Sequence, residues 1–281
     1  MEQSFFVGRH FEDINDLTDG LDTKLKPLSE QPKEMVDRVV NEIFTNTLEK
    51  GLSRVLIVSS DKTRALETSE IIKDGLAEKD PSIKTRIVSD SRFAELDHGK
   101  PILPEGYVRE ARIDYLKDAW NSFWSETFDE DGNYKNYDYK FGDPLEVDGK
   151  PKYPMLVGRF LEFGESYRQL CLRYYEGVLE FLKNIDRIGD TELNIVLVAH
   201  SSTVAIINKM FEVARDGRIF SEDFKVGDLM KICWQYYQEE LKKGTAEPNI
   251  AGQYKTISLK GLDIPRVASI LEQEVDYLNE H

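Results

Sequence analysis

Asn194-Ile195-Val196-Leu197-Val198-Ala199-His200 sets five apolar residues directly before a histidine, and Phe5-Phe6-Val7-Gly8-Arg9-His10 leads an apolar run to another. Apolar runs this short read as strands buried on both faces, the kind a parallel sheet uses. Residues 54–59, 84–89 and 254–259 read the same way. Between the first two strands, Met35, Val36, Val39, Val40, Ile43, Phe44 and Leu48 recur mostly at three- and four-residue spacing. That pattern predicts a helix from near Pro32 to Gly51, with proline and glycine where helix boundaries favour them. Short apolar runs alternating with helical periodicity indicate βαβ units, so the expected fold is α/β: a mostly parallel sheet with helices on both faces. Ligands of such sheets bind at the carboxyl ends of the strands. Two of the chain's four histidines fall there, one beside Arg9. Imidazoles and a guanidinium so placed suit an anion, phosphate above all.

Composition narrows the partners. The 281 residues, 40% hydrophobic, suffice for a sizeable core and are expected to form a single domain, 1–281. Formal charge is 37 minus 52, or -15. That balance argues against nucleic acid or an anionic membrane, both of which need a basic footprint. An anionic substrate must then be captured by locally placed arginines. Cys171 and Cys233 are too few for a disulfide framework and read as buried free thiols. The amino terminus lacks the pattern of a secretory signal, and no apolar run nears the roughly 20 residues of a membrane span. A cytoplasmic location is the expectation. Val267, Ile270, Leu271, Val275 and Leu278 predict an amphipathic helix that packs on the core or on another subunit, leaving oligomeric state open.

Residues 100–163 break the βα rhythm and hold Trp120, Trp124, Tyr134, Tyr137, Tyr139 and Tyr153. Long insertions in compact domains are rarely structureless and often cover a site. This one is expected to be an inserted lid or cap, because it follows a candidate catalytic carboxylate. A peripheral excursion with its own aromatic core is the alternative.

Each candidate side chain has a chemical and a bland reading. A strand-end histidine is commonly structural, but Arg9 beside His10 favours phosphate binding. Arg64 falls in the first turn of a helix expected to start near Ser60-Asp61, either able to cap it. There it could reach the strand-end crevice beside free backbone donors, or pair with Glu67 on its own helix face. After the third strand, Glu95 or Asp97 could donate a proton, and His98 reads as a loop residue. His200 is followed by Ser201-Ser202, small residues that let backbone amides approach a ligand.

In this order the motifs resemble the histidine phosphatase superfamily, which includes the cofactor-dependent phosphoglycerate mutases. Arg9-His10-Phe11 is similar to the family's opening Arg-His-Gly. Ser60-Asp61-Lys62-Thr63-Arg64-Ala65-Leu66-Glu67-Thr68 resembles its Ser-x-x-x-Arg-Ala-x-x-Thr segment. Glu95 with Gly99 matches the acid, Gly164-Glu165-Ser166 a Gly-Glu-Ser element opening a helix, and His200 the last histidine. The likeness covers about residues 5–100 and 164–215. It implies a phosphoglycerate mutase-like fold and a metal-independent phosphomonoesterase acting on a small phosphorylated substrate, with no cofactor. His10 would be the nucleophile, Glu95 the proton donor, and Arg9, Arg64 and His200 the charge clamp. Ser201 and Phe11 would join Arg9, Arg64 and His200 in binding substrate.

Departures from the family pattern shape the alternatives. Phe11 replaces a glycine and is expected to narrow the pocket or shift its loop. Asp13 and Asp16 put acids near a phosphate site, and Ser201-Ser202 stands in place of Gly-Asn. These changes weigh against mutase activity more than against phosphatase activity. A phosphomutase, with Arg109 and Arg112 holding a substrate carboxylate, is one alternative, and a catalytically silent phospho-ligand-binding protein is another. A metallohydrolase built on His10, His98 and His200 lacks any paired ligand spacing.

Overall fold

The computed structural model describes residues 4–12, 25–27, 30–102, 109–131, 133–188, 193–243 and 251–280, of which 4, 109–115, 185–188, 234, 237, 238 and 240–243 are described by their backbone alone. In chain order the elements begin with β1 (Ser4–Arg9), α1 (Lys33–Glu49), β2 (Arg54–Ser59), α2 (Thr63–Lys79) and β3 (Lys84–Ser89). Next come β4 (Lys100–Pro101), α3 (Arg109–Thr127), β5 (Glu146–Val147), β6 (Lys150–Pro151) and β7 (Phe160–Glu162). The remainder is α4 (Tyr167–Ile188), β8 (Leu193–Ala199), α5 (Ser201–Arg215), α6 (Asp228–Lys243), β9 (Tyr254–Ser258) and α7 (Ile264–Glu280).

All five expected strands form and join one sheet, ordered β3-β2-β8-β1-β9. The β2–β3, β2–β8 and β1–β8 pairs are parallel, whereas β9 runs antiparallel along β1. Period-two alternation distributes the apolar side chains between two faces. Phe6, Val55, Ile57, Val196 and Val198 share a core with Val39, Val40 and Ile43 of α1 and Ala65, Ile72 and Leu76 of α2. On the opposite face Phe5, Val58 and Leu197 surround a small apolar cavity with Val178 and Phe181 of α4 and Ile207 and Phe211 of α5. Helices thus cover both faces, as the near-continuous apolar runs require. Gly8 is where β9 closes in: a Cβ there would lie 2.5 Å from the Tyr254 ring and 2.6 Å from the Gln253 carbonyl oxygen.

The chain divides into two compact units, one of Met1–Asp16, Asp22–Glu95 and Arg173–His281, the other of Leu17–Leu21 and Leu96–Leu172. The first holds the sheet. The second contains the 100–163 insertion and has an aromatic core of its own. There Phe123 meets Trp124 with ring centroids 4.6 Å apart, Trp120 meets Phe141 at 5.1 Å and Phe128 meets Tyr167 at 5.3 Å. Its two chain ends are tied together by backbone. Glu165 N donates to the Asp97 carbonyl at 3.0 Å, and Asp97 N donates to Glu165 Oε2 at 2.8 Å. A Cβ on Gly164 would lie 2.0 Å from the Asp97 carbonyl oxygen, so the Gly-Glu-Ser element needs its glycine for close approach. Its serine caps α4: Ser166 Oγ accepts from Gln169 N at 3.3 Å while Gln169 Oε1 accepts from Ser166 N at 2.9 Å, a capping box.

Cys171 and Cys233 are buried free thiols, as expected. Val267, Leu271 and Leu278 bury the apolar stripe of α7, and Glu274 is buried among them, accepting from Gly227 N at 3.0 and 3.1 Å just before α6. Among the described residues no helix is long and apolar enough to cross a membrane.

Candidate active site

Backbone hydrogen bonds carry the parallel ladder one residue past the strands, pinning the groups that follow. His10 N donates to the Ala199 carbonyl at 3.0 Å, and Ser60 N donates to the Val198 carbonyl at 2.9 Å. His10, Arg64 and His200 converge here, all three side chains almost fully buried. Arg64 Nε donates to His10 Nε2 at 3.0 Å, and its Nη2 lies 3.2 Å from His200 Nδ1. The guanidinium therefore bridges the two imidazoles. Glu67, its possible helix-face partner, accepts from Leu25 N at 2.6 Å.

These contacts assign the tautomers. His10 Nδ1 lies 2.6 Å from the Phe11 carbonyl oxygen, which can only accept, so Nδ1 carries the proton and Nε2 the lone pair. His200 Nδ1 accepts from Arg64, leaving Nε2–H to donate to Ser60 Oγ at 2.9 Å. Both rings are held well below the usual histidine range. Burial is the main cause, reinforced by Arg9 and Arg64 at His10 and by His10, Arg64, Arg9 and Lys62 at His200. The result is two neutral imidazoles under the positive influence of Arg9 and Arg64, inside a chain of net charge -15.

The depressed histidines set a pH dependence of stability. Below about pH 6.5 the unfolded chain takes up protons that the folded site refuses, so stability falls as pH falls. Each histidine contributes about 1.4 kcal/mol per pH unit in that window. Glu274, pushed up to about 7 mainly by burial, works the other way, because its folded form holds a proton that the unfolded chain releases. Two against one leaves a net loss. Thermal unfolding should show a melting temperature falling steadily from pH 7 to pH 5. A flat or rising profile would show that the histidines are not held neutral.

Of the two carboxylates left open by sequence, Glu95 joins this group. Ser202 Oγ donates to Glu95 Oε1, while Oε2 lies 3.8 Å from His200 Nδ1. Asp97 falls in the second unit, where its Oδ1 accepts from Gly99 N at 2.9 Å. His98, also in that unit, packs its ring against Trp120 and Phe141, with centroids 5.1 and 4.6 Å away. Arg9 closes β1, its carbonyl accepting from Gly252 N at 3.2 Å. Ser201 opens α5, whose N-cap is His200. Neither α5 nor α2 has a side-chain cap hydrogen bond, and such helix starts offer amide donors to an anion.

Two expectations change. The ring of Phe11 is fully buried in the core shared with Val39, Val40 and Ala65, so it packs the sheet instead of narrowing the site. Its backbone N–H donates to Thr68 Oγ1 at 2.9 Å, and that hydroxyl donates to the Arg64 carbonyl at 2.8 Å. The threonine of the Arg-Ala-x-x-Thr segment thus ties the His10 loop to the helix bearing Arg64. Helix α2 starts at Thr63 after Lys62, and the Ser60 hydroxyl faces His200 instead of serving as its N-cap. Asp13, Asp16 and the side chains of Arg109 and Arg112 lie outside the described residues.

Sequence reading did not single out Arg173 and Tyr174 of α4. Arg173 donates to the carbonyls of Arg92, Ala94 and Glu95 at 2.8, 2.9 and 3.0 Å, and Tyr174 Oη donates to Ala94 at 2.9 Å. Both sit inside a regular amphipathic helix, where spacing alone cannot separate a positioning group from a core one.

No family model matches the chain, and no curated protein does. Among solved structures the chain is similar to a mycobacterial glucosyl-3-phosphoglycerate phosphatase in complex with VO3, at 18% identity over 74% of this chain and 81% of that one, with a TM-score of 0.40. It is also similar to the alpha-ribazole phosphatase from Shigella flexneri, at 14% identity over 74% of this chain and 79% of that one, with a TM-score of 0.37.

Proposed function

We propose that this chain is a metal-independent phosphomonoesterase that acts on a small phosphorylated molecule through a phosphohistidine at His10. The observation that carries the reading is the buried, neutral His10, its Nδ1–H fixed by the Phe11 carbonyl and its Nε2 lone pair directed at Arg64. A phosphate entering between the histidines would take over the guanidinium of Arg64, freeing that lone pair for in-line attack. Arg9, Arg64, His200 and the amides of Ser201 and its neighbours would share the charge on the non-bridging oxygens. Glu95, protonated, would give its proton to the departing alkoxide and then, as carboxylate, take one from the hydrolytic water. Phe11 serves this site through its backbone.

Rapid quenching during turnover of an aryl phosphate should trap an acid-labile, alkali-stable phosphoenzyme. Turnover should be undiminished after treatment with chelator. Absence of the phosphoenzyme, with activity lost to chelator and restored by a divalent cation, would overturn the reading. Isomerisation of a phosphorylated metabolite without phosphate release would assign the same intermediate to a phosphomutase.

A further inference from the structure

Three hydroxyls converge on the candidate acid from one side. Ser202 Oγ donates to Glu95 Oε1, Tyr174 Oη lies 3.1 Å from Ser202 Oγ, and Thr203 Oγ1 donates to Tyr174 Oη at 2.9 Å. Each hydroxyl has one proton to give. Tyr174 gives its proton to the Ala94 carbonyl, which can only accept, and accepts from Thr203, while Ser202 gives its proton to the carboxylate. Of the three hydroxyls, Ser202 is therefore the donor that reaches Oε1, with Tyr174 Oη packed 3.1 Å from its oxygen. All of it is buried: Tyr174, Ser202 and Thr203 are almost fully inaccessible. Arg173 fixes the backbone of the same loop through three carbonyls, including that of Glu95 at 3.0 Å. The other carboxylate oxygen, Oε2, is the one on the His200 side, 3.8 Å from Nδ1.

A carboxylic acid whose Oε1 already accepts a hydrogen bond carries its proton on Oε2. We propose that Ser202 is a positioning residue that reserves Oε1 of Glu95 for the protein and so delivers the transferable proton on Oε2, on the His200 side. The inference rests on the phosphomonoesterase reading. In the first step the His10 Nε2–phosphorus bond forms, the phosphorus–ester oxygen bond breaks, and the Oε2 proton goes to the departing oxygen. In the second, the water oxygen bonds to phosphorus, the phosphorus–nitrogen bond breaks with its electron pair returning to Nε2, and the water proton goes to Oε2. Neither step moves the proton of Ser202.

Because the role concerns proton delivery, its signature is leaving-group dependence. An alkyl phosphate needs the proton, whereas p-nitrophenyl phosphate departs largely without it. Ser202→Ala should lower kcat on an alkyl phosphate by about 10²-fold, the lower range of general acid catalysis, and on p-nitrophenyl phosphate only a few-fold. Ser202→Thr should restore most of the loss, and Ser202→Ala should add nothing in a Glu95→Gln background. If Ser202→Ala does not fold, Ser202→Cys, which keeps a side chain of similar size with a weaker donor, carries the same comparison with a smaller effect. Equal losses on both esters, or additive losses with Glu95→Gln, would overturn the proposal while a trapped phosphohistidine leaves the phosphatase reading intact. Absence of phosphohistidine in the wild type would overturn both.

Discussion

Replacing His10 with alanine is expected to lower phosphomonoesterase turnover roughly a thousandfold or more, with a much smaller change in KM. The groups left behind can hold a phosphate but cannot attack it. Arg64, His200 and the helix-start amides would still bind the anion, while a poorly oriented water would have to replace an imidazole held by the Phe11 carbonyl at 2.6 Å. Vanadate or sulfate should therefore still raise the melting temperature of the variant. Some stability will be lost as well, because Arg64 Nε and the Phe11 carbonyl each lose a buried partner, at about 1–3 kcal/mol for each group left unsatisfied. Comparing turnover per folded molecule separates the two effects. Turnover within a few-fold of wild type would remove His10 from the chemistry.

Phe11→Ala should produce the largest loss of stability at the site, about 3–5 kcal/mol, as for other phenylalanines removed from a packed core. The ring fills the space between α1, α2 and the sheet, and a Cβ on Gly252 would come within 2.9 Å of it. Denaturant unfolding measures the change directly. Turnover of the folded fraction should fall far less than in His10→Ala, since the backbone of residue 11, not its ring, addresses His10 and Thr68. A stability loss below about 1 kcal/mol would mean the ring is not the packing element it is taken to be.

Phe11 also marks where the sequence could be read and where it could not. The five strands were legible because each is a short apolar run, and βα alternation set the parallel sheet without further information. The antiparallel course of β9 was not legible, since direction depends on the loop before it and not on its own residues. His10, Arg64, Glu95 and His200 were legible as strand-end and helix-start residues, because the fold fixes where such positions go. What a side chain does once there depends on rotamer and neighbours, which spacing does not encode. The pattern could place Phe11 after His10 but could not turn its ring inward. Ser60 looked like a cap and became a partner of His200, and Tyr174 was indistinguishable from its helix's core residues.

The sheet order has a consequence for how the molecule is made. Strand β1 is synthesised before the other strands of its sheet, yet its neighbours are β8 and β9, which begin at Leu193 and Tyr254. Strands β2 and β3 can pair with each other early, whereas β1 must wait until β8 and β9 have been synthesised. Throughout that interval Phe5, Phe6 and Val7 form an unprotected apolar segment, open to capture by chaperones or by other nascent chains. Such remote pairing also slows folding, because loop closure precedes the contacts that reward it. Arg9 and His10 are joined to Gly252 and Gln253 by backbone bonds, so the backbone around His10 is completed only when the segment leading into β9 arrives.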